Sequence, residues 1–249
     1  MKKYLYGIIL IFLSFELTFA NETIRISAPA PTIYAQISND QLVGPSIEMM
    51  KLIFSEFGLN IETVPLPWAR AMKYLKSGKI DAVAPIFYNE QRASFIQFTD
   101  VFDTIETRVF TQKNKFGGFN VLNDLKGFKG LTIRGRSEGL EFDKFATEYL
   151  DLSEISSLDQ MLKMILIGRA DYGIDKRYDI AATAKKMGVY EQILITPLVI
   201  STNNNLIGFS KKSAFLRYIP RINMIIRNLK KDGTIEHLIE NYINNIDTK

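Results

Sequence analysis

The sequence predicts an α/β protein built as two similar lobes, each a mostly parallel sheet flanked by helices. Three observations predict it. Trp68 precedes Gly78 by ten positions and Asp81 follows by three; Leu158, Gly168 and Asp171 repeat both spacings 90 residues later. Each copy reads as a helix, a glycine stop and a short buried strand. The first half then runs in the order β-α-β-α-β, the pattern of a parallel sheet with crossover helices. Finally, residues 104–111 and 203–209 read as two strands by which the chain crosses between halves and back. Two lobes make a cleft, and a cleft is where a small ligand binds.

Before the fold comes an export signal. Lys2 and Lys3 precede an apolar run over residues 4–15, and Thr18-Phe19-Ala20 ends in a small residue. The run falls short of the ~20 apolar residues a membrane helix needs, so residues 1–20 read as a cleaved secretory signal peptide. Residues 23–27 alternate apolar and polar and form the first strand. Two prolines break the loop through Tyr34. Gly44-Pro45-Ser46 opens a helix with Ser46 as N-cap, Ile47, Met50, Phe54 and Phe57 on one face, and Gly58 at its end. Residues 61–64 are a strand. Pro67 starts the next helix, in which Trp68, Ala71, Met72 and Leu75 share a face. Residues 80–84 follow as a strand.

The second half repeats this logic. Residues 130–134 are a strand, Gly135-Arg136-Ser137 a turn and 138–150 a helix. Ser157 caps another helix, with Gln160 in the capping-box position and Leu158, Met161, Leu162 and Ile165 on its apolar face. Residues 171–174 are a strand, and 214–245 are helical with a break at Asp232-Gly233-Thr234. The expected division is residues 21–108 with 206–249 in one lobe and 109–205 in the other.

Composition excludes several classes of chemistry. The chain has 249 residues, no cysteine, one histidine (His237) and a net charge of +4. Disulfides, thiolate metal sites and cysteine nucleophiles are excluded, and a lone histidine removes most zinc and Ser-His-Asp arrangements. No cofactor or metal is expected. Without an acylated cysteine, the exported chain should float free in a periplasm. The mild, scattered charge gives no basic block for nucleic acid, and the polar exposed helices suit a monomer.

The candidate ligand residues each have a plain structural alternative. Arg92 stands eleven residues after Asp81, just past a strand end, where open sheets bind ligands. Its guanidinium either holds a carboxylate or pairs with Glu90 or Asp100. Trp68 is either core or pocket wall. Tyr34 and Phe87 on flanking loops divide the same way. Ser137, at an expected helix start, suits an anion or a simple cap. Arg134 and Arg136 add positive charge there or are solvated. Arg70 reaches either the ligand or an acid of the other lobe. Asp81 and Asp171 are tempting as an acid pair, but their places at strand starts suit holding loops. His237 reads as solvated.

These residues together resemble the periplasmic solute-binding proteins that feed polar amino-acid ABC transporters. The matching pieces are Gly44-Pro45-Ser46-Ile47-Glu48; Leu75 with Gly78 and Asp81-Ala82; Asn89-Glu90-Gln91-Arg92 before Phe98-Thr99-Asp100; Gly135-Arg136-Ser137; Gly168-Arg169-Ala170-Asp171; and Leu229 with Asp232-Gly233-Thr234. They run in family order over nearly the whole mature chain. The resemblance implies two lobes that close on a ligand, Arg92 on its carboxylate, Ser137 and a helix start on the same group, and Trp68 packed against it. It also implies delivery to a membrane permease or a membrane sensor.

Two departures touch the pocket. Amino-acid binders of this kind hold the ligand's ammonium with an aspartate whose place falls, by residue counting, on Lys176, one beyond Asp175. The segment from Asp81 to Arg92 is also one residue shorter. Either Asp175 takes the ammonium role, or the ligand lacks an α-ammonium and is a carboxylate or other anion with Lys176 as an added partner. The same fold also carries dehydratases, for which Asp175 or Glu138 would have to serve as general acid.

Overall fold

A computed structural model describes residues 22–115 and 118–246; the expected signal peptide lies outside them. The elements are β1 (Thr23–Ser27), β2 (Gln36–Ser38), β3 (Gln41–Val43), α1 (Pro45–Ser55), β4 (Asn60–Thr63), α2 (Trp68–Ser77), β5 (Ala82–Ile86), α3 (Glu90–Ala93), β6 (Ile96–Phe98) and β7 (Asp103–Gln112). The second half adds β8 (Lys129–Ile133), α4 (Leu140–Tyr149), β9 (Asp151–Ile155), α5 (Leu158–Leu166), β10 (Tyr172–Lys176), α6 (Arg177–Lys186), β11 (Ile193–Ser210), α7 (Ile219–Lys231) and α8 (Thr234–Asn244).

Strand β1 pairs in parallel with β4 and β5, and β8 pairs in parallel with β9 and β10. The 18-residue β11 joins these two groups. Its Leu206–Phe209 segment lies antiparallel to β5, and its earlier part lies antiparallel to β7 from Ile193↔Gln112 to Asn205↔Asp103. Strand β7 in turn pairs with β10. The molecule is thus a two-lobed α/β fold whose halves are joined by two adjacent strands. Helices cover both groups. Ile47, Met50 and Phe54 of α1 pack with Ile222 and Ile226 of α7 and Ile235 and Ile239 of α8 around β1 and β5. Met161, Leu162 and Ile165 of α5 pack on Phe110 and Leu131.

The repeated aspartates explain the repeat. Each closes a two-way clasp on the neighbouring parallel strand. The Asp81 carboxylate accepts from the Arg25 N–H at 2.9 Å, while the Asp81 N–H donates to the Arg25 carbonyl at 2.8 Å. The Asp171 carboxylate accepts from the Lys129 N–H at 2.9 Å, while its N–H donates to the Lys129 carbonyl at 2.8 Å. Gly78 and Gly168 end the preceding helices with φ of 80° and 73°, a conformation that a side chain disfavours. Both strands begin one residue after the aspartate, so the carboxylates hold loops and strand starts together.

Other boundaries differ from the sequence reading. Helix α1 starts at Pro45 with Gly44 as its cap, and Ser46 lies inside it. The Ser46 N–H and hydroxyl both donate to the Tyr34 carbonyl, at 3.0 and 2.8 Å, which fixes the Tyr34 loop against the helix start. Gly44 is required there: its φ is +122°, and a Cβ would lie 2.8 Å from the Tyr34 carbonyl oxygen. Helix α4 starts at Leu140, not at 138, because Glu138 turns back to accept bonds from Thr107 and Ser201. Ser157 caps α5 as expected, but Gln160 answers Ser156 instead of closing the box on Ser157. The hairpin β2–β3, strands β6 and β9, and helix α6 carry no clear sequence period and enter only with the structure.

Candidate functional site

A cavity of about 460 Å³ opens between the two halves. One wall comes from the first half: the loop through Thr32, Ile33 and Tyr34, then Trp68 at the start of α2, Pro85 to Phe87 at the end of β5, and Arg92 of α3. Lys176, Tyr178 and Asp179 form the facing wall around the start of α6. Pro29 and Pro31, with Ile105 of β7 and Asn205 of β11 from the two joining strands, complete the lining.

Arg92 is placed by its own short helix. Asn89 caps α3 by accepting from the Arg92 N–H at 3.3 Å. The guanidinium Nη1 donates to the Phe87 carbonyl at 3.1 Å, and its central carbon lies 5.6 Å from the centroid of the Trp68 ring. It makes no ion pair among the described residues; Asp100 is bound instead by Arg227. The remaining N–H donors of the guanidinium fork therefore stay available beside the cavity.

Behind the wall, the Tyr34 hydroxyl donates to Asp103 at 2.5 Å, and the Asn205 side-chain amide donates to the same carboxylate oxygen at 3.3 Å. Burial and the adjacent Asp103 push the Tyr34 hydroxyl far above the ordinary tyrosine range. Burial, with Asp103 nearby, pushes Tyr178 up to about 12. Asn205 is fully buried and its Oδ1 has no hydrogen-bond partner among the described residues. Asp179 has its carboxyl raised by burial, partly offset by Lys176.

Five of the residues singled out from sequence line this cavity: Arg92, Trp68, Tyr34, Phe87 and Lys176. Five stand elsewhere: Arg70, Arg134, Arg136, Ser137 and Asp175. Arg70 and Arg134 are exposed and do not line it. Ser137 is exposed, and its hydroxyl donates to Asp143. Asp175 is 2% exposed and bound to Arg136 at 2.5 Å, with the Lys176 N–H also donating to it at 2.7 Å. Asp175 and Arg136 line a neighbouring groove that shares Ile33 and Asp179 with the main cavity.

Sequence reasoning passed over Tyr178, Asp179 and Asn205. The first two lie in α6, whose alanines and lysines hide its helical period. Asn205 fell within a stretch read only as a crossing strand. Glu138 accepts from Thr107 at 3.0 Å, and burial raises its carboxyl; like Asp175, it does not line the cavity. His237 is exposed on α8 beside Asn241. Among the described residues no cluster of acidic or histidine side chains is placed to hold a metal ion, and no helix is long and apolar enough to cross a membrane.

The model of the bacterial extracellular solute-binding proteins, family 3, matches residues 23–245. The chain belongs to that family. It is 22% identical over 213 residues to the probable amino-acid-binding protein YxeM of Bacillus subtilis (strain 168), covering 85% of this chain and 80% of the relative. Its fold matches that of the L-cystine solute receptor of Neisseria gonorrhoeae in the unliganded open conformation. The TM-score is 0.76 at 18% identity, over 92% of this chain and 97% of that one. A similar match is the second substrate-binding domain of a putative amino acid ABC transporter from Streptococcus pneumoniae Canada MDR_19A. Its TM-score is 0.75 at 18% identity, over 88% of this chain and 99% of that one.

Proposed function

We propose that this chain captures a small carboxylate-bearing solute, an amino acid or a close relative, between its halves and delivers it to an ABC permease at the membrane. The observation that carries this reading is Arg92: a guanidinium with no acidic partner among the described residues, held by the Phe87 carbonyl and the Trp68 ring on the wall of the cavity. A guanidinium in that setting suits bidentate binding of a carboxylate. Ligand groups that touch both walls favour the closed arrangement by their differential contacts alone. Export through a cleaved signal peptide would place the chain in the periplasm, with residues 109–205 as the lobe that closes on the rest.

Capture suits the site better than turnover. The two carboxylates read from sequence as general acids, Asp175 and Glu138, are engaged by Arg136 and by Thr107 and Ser201 outside the cavity. The test is a thermal-shift screen of the mature protein against amino acids, polyamines, organic acids and small anions, with each hit followed by titration calorimetry. A ligand at 100 times its dissociation constant stabilises the fold by about 2.7 kcal/mol. Hits confined to carboxylate-bearing solutes, recovered unchanged after incubation, support the reading. Hits confined to amines or inorganic anions, or conversion of the ligand, contradict it. Uptake measured after deletion of the gene tests delivery to a permease as opposed to a sensor.

A further inference from the structure

Resting on the solute-binding reading above, we infer that the solute is an amino acid with a second acidic group, its ammonium held by Asp179 and Asn205 Oδ1 and its two anionic groups held by Arg92 and Lys176.

Three charged side chains line the cavity and make no ion pair among the described residues: Arg92 on one wall, Lys176 and Asp179 on the other. The complement of two cations and one anion is a ligand with two anions and one cation. Asp103, just behind the wall, already accepts from Tyr34 and Asn205, so its hydrogen bonding is met within the protein.

The cation site rests on two unanswered acceptors. The side chain of Asp179 has no hydrogen-bond donor among the described residues, although burial works against its charge. Asn205 is fully buried, and its Oδ1 is orphaned while its amide nitrogen is held by Asp103. That bond sets which end of the amide faces Asp103 and which end is left over. Asn205 Oδ1 is a buried acceptor without a donor among the described residues, which is costly; Asp179 is half-buried, and an ammonium has three donors to offer the two.

Lys176 poses the opposite problem. It occupies the N-cap position of α6, where the helix dipole disfavours a cation. An anionic ligand group there gains from the lysine and from the positive end of the helix dipole. The neighbouring Asp175 does not supply that anion, because it is bound to Arg136. A dicarboxylate without an amine would leave Asp179 and Asn205 unanswered. A monocarboxylate amino acid would leave Lys176 with only its attraction to Asp179.

The test is titration calorimetry of the purified chain with three matched sets. These are L-aspartate and L-glutamate, their amides L-asparagine and L-glutamine, and the amine-free diacids succinate and glutarate. The expected result is that one acidic amino acid binds at least about tenfold tighter than both its amide and its diacid, the scale of losing one charge-assisted hydrogen bond. Asp179→Asn should weaken that amino acid at least about tenfold and leave the diacid within about threefold. Lys176→Gln should erase the preference for acid over amide. An amide or a diacid that binds as well as the amino acid overturns the inference, as does a neutral or basic amino acid that binds tightest in a wider panel. In those cases, dependence on Arg92 leaves the solute-binding reading intact. Binding of no carboxylate-bearing solute overturns both. The wild-type panel decides the matter even if a variant fails to fold.

Discussion

The Arg92 guanidinium lies over the Trp68 ring, 5.6 Å from its centroid, while donating to the Phe87 carbonyl at 3.1 Å. A cation held on an aromatic face gains ~0.5–1 kcal/mol at a partly exposed site. More important here, the stack and the carbonyl limit the side chain's rotamers before any ligand arrives. Arg92→Ala should therefore weaken the solute by at least about tenfold, the loss of a charged partner, while the apo melting temperature stays nearly unchanged. Arg92→Lys should rescue only part, because an ammonium is not a bidentate fork. Calorimetric titration with the best solute checks both. Arg70→Ala and Arg134→Ala, whose side chains stand away from the cavity, should leave affinity within about twofold.

Trp68 is the only tryptophan in the chain and it lines the cavity. Its fluorescence should shift in wavelength or intensity as the solute saturates the site. Trp68→Phe should abolish that signal and keep much of the affinity, since a ring remains to pack on the ligand. A saturating solute that leaves the emission unchanged would place binding elsewhere.

Gly44 carries φ of +122° with no room for a Cβ beside the Tyr34 carbonyl. Gly44→Ala should cost about 1–3 kcal/mol of stability, the scale of backbone strain plus local displacement. Because Ser46 anchors Tyr34 through the same turn, affinity should fall as well. Denaturant unfolding and titration of the same preparation measure the two effects separately.

The Asp171 clasp predicts an acid-labile contribution. Burial pushes the carboxyl up, but the Lys129 N–H and the Lys115 ammonium outweigh it and hold it below the ordinary range. A group with a depressed folded value adds stability that is present above its unfolded value, about 3.9, and is lost as pH falls through the folded value. Stability should thus drop below about pH 4, and Asp171→Asn should lose part of that slope. The substitution should cost about 1–3 kcal/mol near neutral pH, because the Lys129 N–H loses a charged acceptor. Urea unfolding across pH measures both.

Burial holds the Asp179 carboxyl above the ordinary range. If it receives the ligand ammonium, it must be ionised, and the bound cation favours that ionised form. Affinity should therefore fall as pH drops through its raised value, with proton release on binding in that range. Asp179→Asn should flatten this dependence. Titration in two buffers of different ionisation enthalpy reads the proton count.

Much of the fold was legible because helix stops and strand starts leave local marks. Gly78 and Gly168 stop helices through their backbone geometry, and Asp81 and Asp171 recur because the same clasp is made twice. Trp68 and Arg92 were legible because a helix start and a strand end put side chains at a cleft. What was not legible depends on distant partners. Ser46 reads as a cap until the Tyr34 carbonyl is seen to claim its hydroxyl. Glu138 reads as helical until Thr107 and Ser201, on the two joining strands, draw it off. The residues of α6 that face the cavity lie in a helix with too weak an apolar stripe to announce itself. Asn205 is set apart only by what its amide fails to meet.

The central claim is that the cavity beside Arg92 is where a carboxylate-bearing solute binds. The most direct measurement is calorimetric titration of wild type and Arg92→Ala with the strongest hit from the thermal-shift screen. Wild type should form a one-to-one complex and the variant should lose at least about tenfold in affinity, with both apo proteins melting alike. Affinity retained within about twofold in the variant would contradict it and place the site elsewhere.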